Sequence, residues 1–166
     1  MISPSIQSES LDALAAQLGE RLQREGAMLA TAESCTGGWV AEAVTAIAGS
    51  SAWFDRGFVT YSNEAKMEML GVPGGTIAVY GAVSEATVCA MALGALERSR
   101  AGVTVAITGV AGPGGGSVDK PVGTVWFGWA VRGGTITAIE RRFSGDREAV
   151  RRQAVAFAIA GVIERI

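Results

Sequence analysis

Apolar positions Leu11, Leu14, Ala15, Leu18 and Leu22 recur at helical spacing and predict an amphipathic helix over 11–25, with Ser8 or Ser10 as its cap and Gly26 as its stop. The short, mostly apolar run 27–31 reads as a buried strand, and the alanine-rich stretch 37–48 as a second helix closed by Gly49. Residues 53–62, with Phe54, Phe58, Val59 and Tyr61, predict a strand. A short helix over 63–70 follows, stopped by Gly71 and Pro73. Residues 73–82 read as a loop. Ser84 opens a helix reaching about Arg100, with Val88, Met91, Ala92, Ala95 and Leu96 turned inward. Residues 103–107 are a strand that runs into the glycine-rich loop 109–116. Strands over 123–131 and 135–143, separated by Arg132-Gly133-Gly134, form a hairpin signal, and a final helix covers about 146–166.

Strands interleaved with long helices and followed by a hairpin predict an α/β fold: a mixed, mainly parallel sheet of about five to six strands with helices on both faces. At 166 residues the chain suits one domain over 1–166, with 1–8 expected to be loosely ordered. With 49% hydrophobic and 18% charged residues, the composition is that of a packed core and not of a disordered chain. No apolar run reaches the roughly 18–20 residues of a membrane helix, and the N-terminus lacks the basic and apolar regions of a signal peptide. A cytoplasmic setting without membrane attachment is expected. A net charge of −2 gives no electrostatic footprint for nucleic acid. Two cysteines, Cys35 and Cys89, without a Cys-x-x-Cys partner do not make a zinc site or disulfide framework.

Two scarcities sharpen the chemistry. The chain has no histidine, which removes Ser-His-Asp and Cys-His sites and histidine metal centres. It has only two lysines, Lys66 and Lys120, against twelve arginines. A lysine kept in such a chain is a candidate for a role that needs loss of a proton, which arginine does not undergo. The segment Ala32-Glu33-Ser34-Cys35-Thr36-Gly37-Gly38 lies at a strand-to-helix junction. There a hydroxyl or thiol can serve as a nucleophile beside unpaired backbone N–H groups, or Ser34 or Thr36 can simply cap the helix. A serine nucleophile without histidine needs another base, and a partly desolvated neutral lysine is one. Lys66 suits that role better than Lys120, which sits in a Gly/Pro loop beside Asp119; the alternative is a solvated lysine between Glu64 and Glu68. Ser62, four residues before Lys66, is a possible cap. The loop 109–116 fits neither a phosphate-loop nor a dinucleotide pattern, and reads either as a backbone cradle for an anion or as a surface loop. Arg147, Arg151 and Arg152 fall in the opening turns of the last helix, against the dipole, which points to an anionic ligand or to pairing with Asp146 or Glu148.

Six segments in order, Ala32–Gly38, Gly57–Lys66, Gly81–Ser84, Gly109–Pro113, Lys120–Val125 and Phe143–Arg147, resemble the CinA C-terminal domain family in its stand-alone form, over nearly the whole chain. The resemblance implies a three-layer α/β/α sandwich and hydrolysis of the carboxamide of nicotinamide mononucleotide to nicotinate mononucleotide and ammonia. It implies a serine–lysine mechanism at Ser34 and Lys66, with backbone N–H groups of Cys35, Thr36, Gly37 and Gly38 at the helix start holding the oxyanion. By motif position, Tyr61 would meet the pyridine ring, Thr108, Gly109 and Gly112 would line the nucleotide pocket, and Arg147 would take the phosphate. The scheme calls for no metal and no cofactor; the partner is a small pyridine nucleotide, and a homodimer is the family-level expectation. The competing readings are a nucleotide-binding module without catalysis and a hydrolase of another small amide that uses Cys35.

Overall fold

The computed structural model describes residues 10–166; the expectation for 1–8 and the candidate cap Ser8 lie outside the described residues. Helix α1 spans Leu11–Glu25, with the Ser10 hydroxyl accepting from the Ala13 N–H and Gly26 closing it in the left-handed conformation (φ 62°). Strand β1 (Leu29–Glu33), helix α2 (Trp39–Thr45) and strand β2 (Phe54–Val59) follow. Next come three helices, α3 (Asn63–Leu70), α4 (Gly74–Tyr80) and α5 (Glu85–Glu97). The chain ends with β3 (Val103–Gly109), β4 (Thr124–Val131), β5 (Ile136–Arg142) and α6 (Arg147–Ile163).

The strands form one mixed sheet in the order β2-β1-β3-β4-β5. Parallel pairing is confined to β2-β1-β3, while β3-β4 and β4-β5 are antiparallel, so the sheet is half parallel rather than mainly so. Every residue of β1 is buried, as are the first six of β3, whereas β2 and β5 are partly exposed edges. Alternation along β3 divides the core. Val103, Val105 and Ile107 face Leu14, Leu18 and Leu22 of α1 and Val155, Ile159 and Val162 of α6. Ala106 faces Leu70 of α3 and Val88, Met91 and Ala95 of α5. The result is three layers, helices on either side of a sheet. Each buried leucine of α1 contributes about 1.5–3 kcal/mol by leaving water.

Three expectations change. Residues 73–82 are not a loop: α4 forms behind Pro73, whose fixed φ (−61°) leads into a helix, and Gly81 ends it. No residue of α4 is buried, so the apolar periodicity that marks a helix is absent there. Helix α2 begins at Trp39 rather than at 37, because Gly37 and Gly38 hold positive φ values of 60° and 105° that no helix accepts. Strand β1 runs two residues further than 27–31 indicated and ends inside the motif, at Glu33.

Close approach across the sheet depends on glycine at one point above all. Trp129 of β4 is fully buried, donates from Nε1 to the Ala158 carbonyl at 3.2 Å, and has the Arg165 guanidinium 3.9 Å above its ring. A Cβ at Gly161 would overlap that indole, which has no room to move. In Gly161→Ala the helix-propensity gain of about 1 kcal/mol is opposed by overpacking of about 1–3 kcal/mol. Because the ring is clamped, the clash should prevail: the melting temperature is expected to fall by a few degrees, and a variant that melts at or above the parent would contradict this packing.

Candidate active site

Ser34 follows directly on β1, its N–H still bonded to the Ile107 carbonyl of β3 at 3.0 Å, so the sheet itself sets the position of the hydroxyl. On the neighbouring side, the Thr60 N–H donates to the Glu33 carbonyl at 2.8 Å, and Ser62 then caps α3 by accepting from the Ala65 N–H. That cap places Lys66 on the inward face of the first turns of α3, while Glu64 and Glu68 point to solvent. The Lys66 side chain is 1% exposed and no carboxylate lies within ion-pair distance of it among the described residues.

Three acceptors surround Lys66 Nζ: Ser34 Oγ at 2.9 Å, the Thr60 carbonyl at 2.8 Å and the Tyr61 carbonyl at 3.3 Å. Burial holds its pKa below the ordinary lysine value, because the ammonium loses hydration that no buried anion replaces. In the neutral amine two N–H bonds serve the two carbonyls, and the lone pair is left for the Ser34 hydroxyl proton. Cys35, next in the chain, is 7% exposed and its thiol is pushed up to about 11 by burial. Burial that keeps the thiol protonated makes Cys35 a poor candidate for the nucleophile.

Ser34, Cys35 and Lys66 line a cleft of about 250 Å3, and so do Tyr61, Thr108, Gly109 and Arg147. Gly112 is outside the lining, but its carbonyl accepts from Arg147 Nη1 at 2.9 Å. Arg147 Nη2 also donates to the Tyr61 hydroxyl at 3.2 Å, which joins the end of β2, the glycine loop and the start of α6 along one rim. Asp146 is engaged in capping α6 through the Ala149 N–H, and neither it nor Glu148 pairs with Arg147 among the described residues. The Thr108 hydroxyl donates to the Ala82 carbonyl at 2.8 Å, tying the end of β3 to the segment before α5. Lys120 lies elsewhere, its Nζ on the Tyr80 carbonyl at the end of α4. Asn63, Ala82, Val83 and Ala111 complete the lining and were not singled out from sequence; Asn63 carries the only polar side chain among them and sat one residue from a candidate cap.

The backbone donors expected at a helix start need correction. Residues 35–38 form a turn ahead of α2, not its first turn. The free N–H groups of α2 are already engaged: both carboxylate oxygens of buried Glu33 accept from Val40 and Ala41, at 2.8 and 3.0 Å. Within the turn, the Gly37 N–H goes to the Ser34 carbonyl and the Trp39 N–H to the Thr36 carbonyl. The N–H groups of Cys35, Thr36 and Gly38 have no protein acceptor among the described residues.

The cleft is built from five separate chain segments, and the fold that brings them together recurs in known proteins. Residues 11–166 match the model of the CinA C-terminal domain. The chain is 60% identical to the nicotinamide-nucleotide amidohydrolase PncC of Escherichia coli over 146 residues, 88% of each protein. It is 52% identical to the nicotinamide-nucleotide amidohydrolase PncC of Pseudomonas putida over 156 residues, 94% of this chain and 97% of that one. The crystal structure of the competence/damage inducible protein CihA from Agrobacterium tumefaciens superposes with a TM-score of 0.91 at 48% identity, covering 93% of this chain and 94% of that one. With the match spanning every described element from α1 to α6, the chain belongs to the CinA C-terminal domain family.

Proposed function

We propose that this chain is a nicotinamide-nucleotide amidohydrolase that works through a Ser34–Lys66 pair. The observation that carries the reading is the 2.9 Å contact between Lys66 Nζ and Ser34 Oγ in a chain without histidine. The identity of 60% to a protein of that activity supports the substrate.

Neutral Lys66 takes the Ser34 proton as Oγ bonds to the carboxamide carbon, and the carbonyl oxygen becomes an oxyanion. The lysine then gives its proton to the departing nitrogen; the C–N bond breaks, ammonia leaves, and nicotinate stays on Ser34 as an ester. Water attacks that ester, passing a proton to Lys66, which returns it to Ser34 Oγ as the C–O bond breaks. Nicotinate mononucleotide and a regenerated pair result. The two carbonyls on Lys66 hold it in place for both proton transfers, and no further group is needed to balance the cycle. Tyr61, 63% exposed at the rim, offers a ring face to the pyridine, and Arg147 beside it offers a charge to the phosphate.

The homodimer implied by the family resemblance belongs to the same proposal, and the exposed Val79 and Tyr80 of α4, a helix with no buried residue, support it. A cytoplasmic setting fits the two unpaired cysteines. In sedimentation equilibrium the species expected is twice the 17.0 kDa chain, and a monomer at micromolar concentration would contradict the dimer.

Two kinetic predictions follow from the pair. With nicotinamide mononucleotide, ammonia release should vanish in Ser34→Ala and fall by roughly 10²–10⁴ in Lys66→Arg, which keeps the charge and loses the base. Near-parental turnover in either variant would sink the assignment. The pH profile has a defined sign. Only the neutral amine acts as base, so kcat/KM should rise with pH as Lys66 loses its proton, with the limb centred below the ordinary lysine value of about 10.4. A limb centred at or above that value would show that burial does not tune this lysine.

A further inference from the structure

Arg151 stands out among residues that the mechanism above does not use. It lies one turn into α6, 116 residues from the nucleophile's turn, yet its Nε donates to the Cys35 carbonyl at 3.0 Å and its Nη2 to the Thr36 carbonyl at 3.2 Å. The guanidinium sits 5.4 Å from the centre of the Trp39 ring, a cation–π contact that fixes it from the other side. It is only partly exposed, and no carboxylate pairs with it among the described residues. An arginine kept from solvent with backbone carbonyls as its acceptors imposes direction on those peptides.

The direction matters because each peptide is planar and trans, with C=O and N–H on opposite sides. Holding the Cys35 carbonyl toward Arg151 turns the Thr36 N–H away from it. The Ser34 carbonyl, held by the Gly37 N–H, does the same for the Cys35 N–H. These are two of the three turn donors left without a protein acceptor. A carbonyl that accepts a charge-assisted bond also makes the N–H across the same peptide a stronger donor. We propose that Arg151 is a positioning residue for the oxyanion: by gripping the Cys35 and Thr36 carbonyls it orients and polarises the turn whose free Cys35 and Thr36 N–H groups receive the developing negative charge. This rests on the hydrolase reading above and adds to it a group remote in sequence that acts on kcat and not on substrate binding.

The alternative is a staple that only secures α6 to the turn, and the two roles separate kinetically. Arg151→Met keeps the length of the side chain and removes the donors; Arg151→Lys keeps the charge and a donor. With nicotinamide mononucleotide at a temperature below each variant's melting transition, kcat in Arg151→Met should fall tenfold or more while KM stays within about threefold, since losing one oxyanion donor outright is worth on the order of 10²–10³. Arg151→Lys should recover part of that loss. The second readout does not depend on the substrate: the rate at which a fluorophosphonate labels Ser34, followed by intact mass. There Ser34 Oγ bonds to phosphorus, fluoride leaves, the serine proton passes to Lys66, and the phosphoryl oxygen takes the oxyanion position. Labelling should slow in parallel with kcat.

Unchanged kcat with a lowered melting temperature, or a loss confined to KM, overturns the proposal. If Arg151→Met does not fold, Arg151→Lys decides: a kcat reduced threefold or more at constant KM supports it, and parental kcat overturns it. A parent that labels readily but releases no ammonia would refute the substrate and leave Arg151 to be judged on labelling alone. A parent that does neither refutes both the pair and its positioning.

Discussion

A lysine buried at 1% exposure, with no carboxylate in ion-pair distance among the described residues, is the constraint on which the site turns. Removing an ammonium from water costs several kcal/mol in an actual protein interior, so the group yields its proton more readily than a solvated lysine does. The Thr60 and Tyr61 carbonyls and the Ser34 hydroxyl satisfy its hydrogen-bonding capacity without supplying a countercharge. Such an arrangement persists only if α3 cannot drift outward. Ser62 pins its start, Gly71 closes its end in the left-handed conformation, and Leu70 packs beneath it among Met91 and Ala95 of α5. Gly94 of α5 lets the Leu70 carbonyl come closer than any side chain would allow. The helix that carries the proposed base is therefore held at both ends and from below.

The proposed nucleophile is held in a different way. Ser34 is the last residue before the chain leaves the sheet, and the ladder bond to Ile107 fixes its backbone. Beyond it the chain makes a turn, not a helix start, and Glu33 fills the donor end of α2 with its own carboxylate. The positive end of that helix is thus neutralised by the residue just before the serine. In the proposed mechanism the developing negative charge is met by the turn's own peptides, two of whose carbonyls Arg151 grips from α6. The proposed base comes from α3, the proposed nucleophile and its turn from the β1–α2 junction, and Arg151 from α6, so the site assembles only when both layers of helices have closed on the sheet.

Local signals were legible in the sequence and long-range ones were not. Ser10, Gly26, Ser62 and Gly71 mark helix ends because caps depend on a few neighbouring residues. The absence of histidine made Lys66 a candidate base, but its pairing with Ser34 was implied by the family resemblance and not by any local pattern, since the contact spans 32 residues. Helix α4 was hidden because none of its residues is fully buried, only Ile77 among its large side chains packing on the core, and so it leaves no periodic trace. The start of α2 was misread because two glycines at positive φ look, in sequence, like any flexible pair. Arg151 read as one of three arginines in an opening turn; that it reaches across to Cys35 and Thr36 is decided by how α6 packs, which no local pattern encodes.

The scarcity of lysine also makes the central claim directly measurable. Only two lysines are present, so the Nζ signals of 15N-lysine-labelled protein can be assigned with the single variant Lys120→Arg. Following both signals through a pH titration reads the proton on Lys66 itself, without substrate and without turnover. The account predicts that Lys66 loses its proton below the ordinary lysine value of about 10.4, because burial disfavours its ammonium. A Lys66 signal that titrates at or above that value would contradict it.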